Sequence, residues 1–93
     1  MNEQIRQDID IAAEILRKAG AKEVYAFGSS VHGKLRPDSD IDLAVRGLPP
    51  EKFFRAMSTV TFAISRPFDL IDLDEPDPFT DYLEREGDLV RVA

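Results

Sequence analysis

Residues 28–45, with the sequence GSSVHGKLRPDSDIDLAV, join a glycine-serine pair to two aspartates on a short β-like segment. Over residues 40–45, large apolar side chains alternate with Asp40, Asp42 and an alanine, which is the period of two expected of a strand. Both aspartates therefore point to the same face, with Cα atoms about 6.5–7 Å apart. Carboxylates at this spacing can reach a shared cation.

A third acid lies in the second strand-like segment, FDLIDL at 68–73, where Asp69 stands between two apolar residues. If the two strands are neighbours, a lateral spacing of about 4.8 Å brings Asp69 into the same cluster. Carboxylates this close repel each other by about a few kcal/mol per pair, so the cluster requires a cation or a proton. Oxygen ligands from acids favour Mg²⁺ or Mn²⁺.

Gly28 and Ser29 supply a phosphate-binding element beside these acids. The glycine ends the strand-like segment VYAF at 24–27, and the serine opens a short predicted helix. This arrangement presents backbone N–H groups and a hydroxyl at a helix N-terminus, where phosphate binds. Metal-binding carboxylates next to a phosphate site indicate phosphoryl or nucleotidyl transfer assisted by two metal ions.

Helical periodicity predicts a long helix on each side of this segment and a shorter helix near the end. A further strand, at the sheet edge, is predicted over residues 89–92. All six prolines lie between the predicted elements, which supports their boundaries. The apolar positions of the three helices recur every three or four residues: Ile5, Ile9, Ala12, Leu16 and Ala19, then Phe53, Met57, Val60 and Ile64, then Phe79, Tyr82 and Leu83.

The order of these elements predicts an α+β fold, an α/β two-layer sandwich with one small mixed β-sheet and helices packed on one face. The second face of the sheet would carry Asp40 and Asp42. The apolar group of Phe53, Phe54 and Met57 is expected in the core.

The composition indicates a single domain, residues 1–93, with a net charge of −6. The chain has no cysteine, which excludes disulfides, thiolate zinc sites and cysteine nucleophiles and favours a cytoplasmic location. No apolar run approaches the roughly 20 residues of a membrane span. The first ten residues carry three acids, whereas a signal peptide would be basic and then apolar.

The acidic surplus is concentrated in residues 67–93, where nine acids and two bases leave a charge of −7. The chain shows no basic footprint of the kind that duplex nucleic acid requires. Two interpretations of the acidic end stay open: a solvated face, or a docking surface for a basic partner.

The stretch 28–45 resembles the signature of the polymerase-beta-like nucleotidyltransferase superfamily: Gly-Ser, ten residues, then Asp-x-Asp and an apolar residue. The whole chain resembles a minimal nucleotidyltransferase domain of the MNT type. The leading helix, the signature, the second helix, FDLIDL and the EREG near the end occur in the expected order. The resemblance implies the polymerase-beta-like nucleotidyltransferase fold over nearly the whole chain.

Position by position, the resemblance implies that Gly28 and Ser29 hold a nucleoside triphosphate. It also implies that Asp40, Asp42 and Asp69 are the catalytic carboxylates and metal ligands, with Asp69 helping to remove the proton of the acceptor. The implied cofactor is Mg²⁺, as one ion or two, with Mn²⁺ as a substitute, and the implied donor is ATP. Such enzymes transfer a nucleoside monophosphate to a hydroxyl and release pyrophosphate.

Many MNT-type proteins are antitoxins paired with HEPN-domain toxins, and some adenylylate a tyrosine of the toxin. The resemblance thus implies a protein adenylyltransferase with a HEPN-type toxin as its partner. This partner would cover the open face of the sheet, the face that carries Asp40 and Asp42. The same open face also allows a homo-oligomer. The alternative is a non-catalytic binding module, an antitoxin that neutralises its partner by occlusion. Ser30 and Val31 favour this alternative, because many relatives have a basic residue immediately after Gly-Ser. Otherwise Lys34, Arg36 or a partner's residue would neutralise the phosphates.

Overall fold

The computed structural model describes residues 3–28 and 40–93, and in these ranges the elements follow the predicted order. The short helix predicted after Gly28 lies outside them. No helix in the described ranges combines the length and hydrophobicity needed to cross a bilayer. In chain order the elements are helix α1 (Glu3–Lys18), strand β1 (Glu23–Phe27), strand β2 (Ile41–Arg46), helix α2 (Pro50–Ala63), strand β3 (Phe68–Asp72), helix α3 (Pro78–Glu86) and strand β4 (Val90–Arg91).

The four strands form one mixed sheet in the order β3-β2-β1-β4. Strand β1 pairs antiparallel with both β2 and β4. Strand β2 pairs in parallel with β3, and α2 provides the crossover connection that parallel neighbours require. The predicted small mixed sheet, with its last strand at an edge, is therefore confirmed.

The main core lies between one face of the sheet and the two long helices. Val24, Leu43 and Val45 point to this face and are fully buried. They pack with Ile5 of α1 and Val60 of α2, both also fully buried. Removing this apolar surface from water is the main source of stability for a domain of this size. The predicted packing of helices on one face holds for α1 and α2.

The short helix α3 packs on the opposite face. Side chains there alternate with those of the main core, so Phe27 and Ala44 form a second, smaller cluster with Leu73 and with Leu83 of α3. The Nη2 group of Arg46 also donates a hydrogen bond of 2.9 Å to Glu84 Oε1 on α3. The fold thus adds a partial third layer to the predicted two-layer sandwich, because two strands leave apolar side chains on the second face.

The expectation that Phe54 belongs to the core is wrong. Its side chain is 77% exposed, and Phe62, two turns further along α2, is 90% exposed. Phe53 and Met57 are partly buried against the core, as predicted. Helix α2 faces the core with Ala56 and Val60, which turns Phe54 towards solvent.

A buried ion pair, which the sequence patterns did not reveal, ties α1 to the segment between α2 and β3. Arg66 Nε donates a hydrogen bond of 2.8 Å to Asp8 Oδ2. Both side chains are almost completely buried, at 6% and 4% exposure. Charges taken out of water are tolerated when they are paired and hydrogen-bonded, so breaking this pair is costly.

Replacing Asp8 with Asn should therefore lower the free energy of unfolding by about 3–5 kcal/mol, because the Arg66 guanidinium stays buried without this carboxylate. Urea denaturation of the purified protein measures the change. The double variant Asp8→Leu/Arg66→Met should lose less than either single variant, since it removes both charges. Asp10→Asn, at an exposed position of the same helix, is the control. A loss below about 1 kcal/mol for Asp8→Asn would show that the pair contributes no more than an exposed ion pair does.

Candidate active site

Two of the predicted acids, Asp42 and Asp69, lie side by side on the sheet. They are register partners in the parallel pairing of β2 with β3. Neighbouring strands lie about 4.8 Å apart, and paired residues point to the same face. Asp42 is also the register partner of Phe27 in β1, which places it on the second face beside the smaller cluster. The structure therefore brings these two carboxylates together, as the sequence predicts.

Asp40 lies next to this pair, one residue before β2 begins. Its side chain and that of Asp69 are exposed, whereas Asp42 is half-buried. Burial raises the pKa of the Asp42 carboxyl, and the negative charges of Asp69 and Asp40 raise it further. The charges of Asp40 and Asp69 therefore both act on the carboxyl group of Asp42, as expected of a site that binds a cation.

Gly28 meets Asp42 at the end of β1. The glycine has a φ of +62°, in the left-handed region. A Cβ atom at this position would lie 2.7 Å from Asp42 Oδ2. Only glycine accommodates both the conformation and the close approach of the carboxylate. Ser29, the second predicted phosphate-binding residue, lies outside the described residues.

The donor set is suited to a hard divalent cation, because Asp40, Asp42 and Asp69 offer only carboxylate oxygens. Within residues 3–28 and 40–93, however, no three acidic or histidine side chains are grouped closely enough to hold a metal ion. The adjacency of Asp42 and Asp69 is a feature of the fold. Joint ligation of an ion by all three acids stays a prediction.

A cavity that the sequence patterns did not predict opens beside Gly28. It has a volume of about 340 Å³ and lies between the end of β1 and helix α3. Phe79 and Tyr82, expected to be packing residues of α3, are 48% and 49% exposed. The spacing of these aromatic residues predicted the helix but not which side of it the sheet covers. The cavity is lined by Phe27, Gly28, Phe79, Tyr82, Leu83, Glu86, Gly87 and Asp88.

Gly28→Ala should lower the free energy of unfolding by about 1–2 kcal/mol, because an L-residue is strained in the left-handed region. It should also displace the Asp42 carboxylate and thereby weaken the predicted binding of ATP with Mg²⁺. Urea denaturation and isothermal titration calorimetry measure the two effects.

Gly47→Ala is the matched control, since Gly47 also has a positive φ, of +79°, and its added Cβ would lie 2.8 Å from Lys22 Cγ, at the other end of β2 from Asp42. We expect this variant to lose comparable stability and to keep nucleotide binding. Equal binding by wild type and Gly28→Ala would contradict the role given to Gly28.

Asp42→Asn should stabilise the protein at neutral pH in the absence of metal. Because the folded state raises the pKa of Asp42 above its ordinary value of 3.8, ionisation of this group costs stability as the pH rises through the raised value. A change of 1 kcal/mol in stability shifts the melting temperature of a domain of this size by roughly 4–8 °C. We expect a smaller gain than this at pH 7, and no gain near pH 3. Thermal unfolding followed by circular dichroism measures both.

The same variant should lose any rise in melting temperature that Mg²⁺ gives the wild type. Asp81→Asn, an exposed position on α3, should retain that rise. If Asp42→Asn instead unfolds the protein, Asp42 has a structural role and its assignment to the site fails.

Comparison with known proteins agrees with this fold. The family model "Polymerase beta, Nucleotidyltransferase" matches residues 11–91. No curated protein matches the chain significantly. A crystal structure of a toxin-antitoxin with AMP-PNP is similar, with a TM-score of 0.67 and 24% identity over 88% of this chain and 70% of that chain. A crystal structure of a mutant MntA-HpeT toxin-antitoxin has a TM-score of 0.66 and 22% identity over the same shares of the two chains. The family match spans most of the sequence, and the chain therefore belongs to the polymerase beta nucleotidyltransferase family.

Proposed function

We propose that this protein is a Mg²⁺-dependent nucleotidyltransferase that transfers a nucleoside monophosphate, AMP from ATP, to a hydroxyl group of a partner macromolecule. The observation that carries the proposal is the register of Asp42 with Asp69, next to a glycine that approaches the Asp42 carboxylate. Packing does not explain two adjacent carboxylates on neighbouring strands, since their repulsion costs stability. A cation-assisted reaction does explain them.

In this proposal each residue has a distinct task. The Gly28-Ser29 corner holds the triphosphate, and Asp40, Asp42 and Asp69 hold Mg²⁺. Asp69 orients the acceptor hydroxyl and takes up its proton. A bound divalent cation would neutralise the phosphate charge and lower the pKa of that hydroxyl. The hydroxyl oxygen forms a bond to the α-phosphorus, and the bond from that phosphorus to the β-phosphate oxygen breaks, so that pyrophosphate leaves.

The comparisons support the choice of donor and partner. One similar structure was solved with AMP-PNP, an ATP analogue, and both similar structures are toxin-antitoxins. We propose that this chain is the antitoxin of such a pair in the cytoplasm and that its HEPN-type toxin supplies the acceptor hydroxyl. The exposed side chains of Asp40 and Asp69 leave the carboxylate face accessible to that partner.

A second function, neutralisation of a partner by occlusion without chemistry, has its own support. Ser30 and Val31 provide no positive charge immediately after the Gly-Ser pair. The acids of the site are not grouped as a ready metal centre within the described ranges. An acidic antitoxin could still cover a basic partner through the −7 charge of residues 67–93, which hold nine acids and two bases.

The experiment that tests the proposal is intact-mass spectrometry of the protein co-purified with the product of its neighbouring gene, before and after addition of ATP and Mg²⁺. Transfer predicts a mass increase of one or more AMP units on the partner. Asp40→Asn/Asp42→Asn should abolish the increase without releasing the partner. An unmodified partner, under conditions in which a known relative is active, would reject the catalytic proposal.

Protection of cells separates the two functions. If catalysis neutralises the partner, Asp40→Asn/Asp42→Asn should lose protection while still binding it. Full protection by the double variant would instead establish occlusion. Asp81→Asn, which lies on the exposed side of α3, should protect as well as the wild type in either case.

A further inference from the structure

An open groove runs between helices α1 and α2, in the layer that covers the apolar face of the sheet. It has a volume of about 370 Å³. Its apolar lining comes from Ile15 and Ala19 of α1 and from Ala56 of α2. Ala56 is buried, whereas Ile15 and Ala19 are only partly buried against the core. The groove therefore offers apolar surface that the fold itself does not cover completely.

The two helices run antiparallel and are joined at both ends. At one end, a Cβ atom added to Gly20 would lie 3.2 Å from Pro49 Cδ, so the end of α1 meets the start of α2. At the other end, Asp8 of α1 pairs with Arg66, shortly after α2. The groove lies nearer the first of these ends, because its α1 residues belong to the last turns of that helix.

The groove lies at the end of the sheet opposite to the candidate active site. Helix α1 leads into β1 at Glu23, and α2 follows β2, which ends at Arg46; these two residues are register partners. Gly28 and Asp40, between which the described chain is interrupted, lie at the other end of the same strands. A strand of five residues, such as β1, is about 13 Å long. The groove is thus remote from both Gly28 and Asp40.

The charged side chains that border the groove are basic. Lys18, Lys52 and Arg55 line it, and no acidic side chain of the described residues does so. Lys18 Nζ lies 3.7 Å from Glu14 Oε1, but both side chains are at least half exposed, and such a pair is weak. Lys52 and Arg55 form no ion pair within the described ranges. The groove therefore attracts acidic groups, although the net charge of the protein is −6.

Two further apolar side chains extend the groove. Phe62 lies two turns after Arg55 on the same side of α2, and its side chain is 90% exposed. Ile11 lies one turn before Ile15 on α1 and is 41% exposed. Because α1 and α2 are antiparallel, both residues continue the groove in the same direction. Exposed apolar side chains that adjoin an apolar groove are typical of an interaction site.

We propose that this groove binds an acidic amphipathic helix of a partner protein. The apolar side of that helix would pack on Ile15, Ala56 and Phe62, as a third helix beside α1 and α2. Its carboxylates would meet Lys52 and Arg55 at the edge of the groove. The inference goes beyond the proposed function, because the groove lies on the other side of the sheet from the carboxylate site and takes no part in nucleotide transfer.

Two other occupants match the groove less well. A symmetric dimer that packs the groove against itself would bring the same basic side chains together, because a two-fold axis presents identical surfaces to each other. Nucleic acid needs a broad basic footprint, whereas the groove offers Lys18, Lys52 and Arg55 on a protein of net charge −6. An acidic amphipathic helix satisfies both the charge and the apolar lining.

The probe is a blocked peptide with three repeats of Leu-Glu-Glu-Leu-Leu-Glu-Ala, which places leucines on one side of a helix and glutamates on the other. It is titrated into ¹⁵N-labelled protein and followed by two-dimensional NMR. We expect saturable shifts of the amide signals of Ile15, Ala19, Ala56 and Thr59. The same peptide with lysine in place of glutamate should leave these signals unchanged.

Arg55→Glu should weaken binding of the acidic peptide by roughly 3–10-fold, since it replaces an attraction with a repulsion. Arg6→Glu is the matched control, because it makes the same charge change at an exposed position of α1 outside the groove lining. It should change the affinity by less than about 1.5-fold at about 0.15 M salt. Equal weakening by the two variants would overturn the site in favour of general charge attraction.

Phe62→Ser should weaken binding of the same peptide by roughly 3–10-fold through loss of apolar contact. Phe54→Ser is its control, because Phe54 is 77% exposed on the same helix but lies about 80° further round from the groove. Both variants should keep the melting temperature of the wild type, since neither ring is buried. Equal affinities of wild type and Phe62→Ser, or equal losses in the two variants, would contradict the proposal.

Three other results would reject the acidic helix as the occupant. The first is the absence of shifts in the groove at millimolar peptide. The second is tighter binding of a single-stranded oligouridylate to the same residues, which would indicate nucleic acid. The third is a dimer in analytical ultracentrifugation that Arg55→Glu dissociates, which would indicate a second copy of the chain.

Titration with ATP and Mg²⁺ separates this inference from the proposed function. Arg55→Glu should bind the nucleotide as the wild type does, because the groove and the carboxylates lie on opposite sides of the sheet. Peptide binding without nucleotide binding would support the groove while the proposed function fails. Nucleotide binding without peptide binding would overturn the groove alone.

Discussion

The parallel pairing of β2 with β3 is the constraint on which the rest of the site depends. It places Asp42 directly beside Asp69 on a face where burial and like charge both oppose ionisation of Asp42. A shift of this register by one residue would turn Asp69 to the other face of the sheet. The site therefore depends on the register of β3, which the crossover through α2 and the core beneath both strands hold in place.

Burial of apolar side chains on the other face of the sheet offsets the repulsion between these carboxylates. Strand β2 combines a half-buried Asp42 with Ile41, Leu43 and Val45, which are fully buried against α1 and α2. The ion pair between Asp8 and Arg66 fixes the segment that leads into β3. One face of the sheet thus supplies the stability that allows repulsive charge to accumulate on the other. By burying apolar side chains on one face of the sheet, a small domain can keep mutually repelling carboxylates on the other.

Sequence patterns predicted the elements well, because each depends on local periodicity. The alternation over 40–45 and the apolar repeats of the first helix are properties of the chain itself. The side-by-side placement of Asp42 and Asp69 followed from one added assumption, that the two strands are neighbours. The parallel pairing of β2 with β3 confirms this assumption, and α2 provides the crossover that such neighbours require.

Features that depend on how elements pack against each other were not predictable. The periodicity of α2 does not say that Phe54 points to solvent, since only contact with the sheet selects its buried face. The pairing of Asp8 with Arg66 joins residues 58 positions apart, and no local pattern connects them. The side of the sheet that α3 covers, and with it the cavity beside Gly28, likewise follows from tertiary packing.

The chemistry proposed for the site has one requirement above all others, which is that a divalent cation binds between the ends of β1, β2 and β3. Paramagnetic relaxation by substoichiometric Mn²⁺ with AMP-PNP, measured for each backbone amide of the ¹⁵N-labelled protein, locates the ion directly. We expect the amide signals of Gly28, Asp42 and Asp69 to broaden most. Strongest broadening along the acidic residues 74–88, with these three signals unaffected, would rule out a cation at this position.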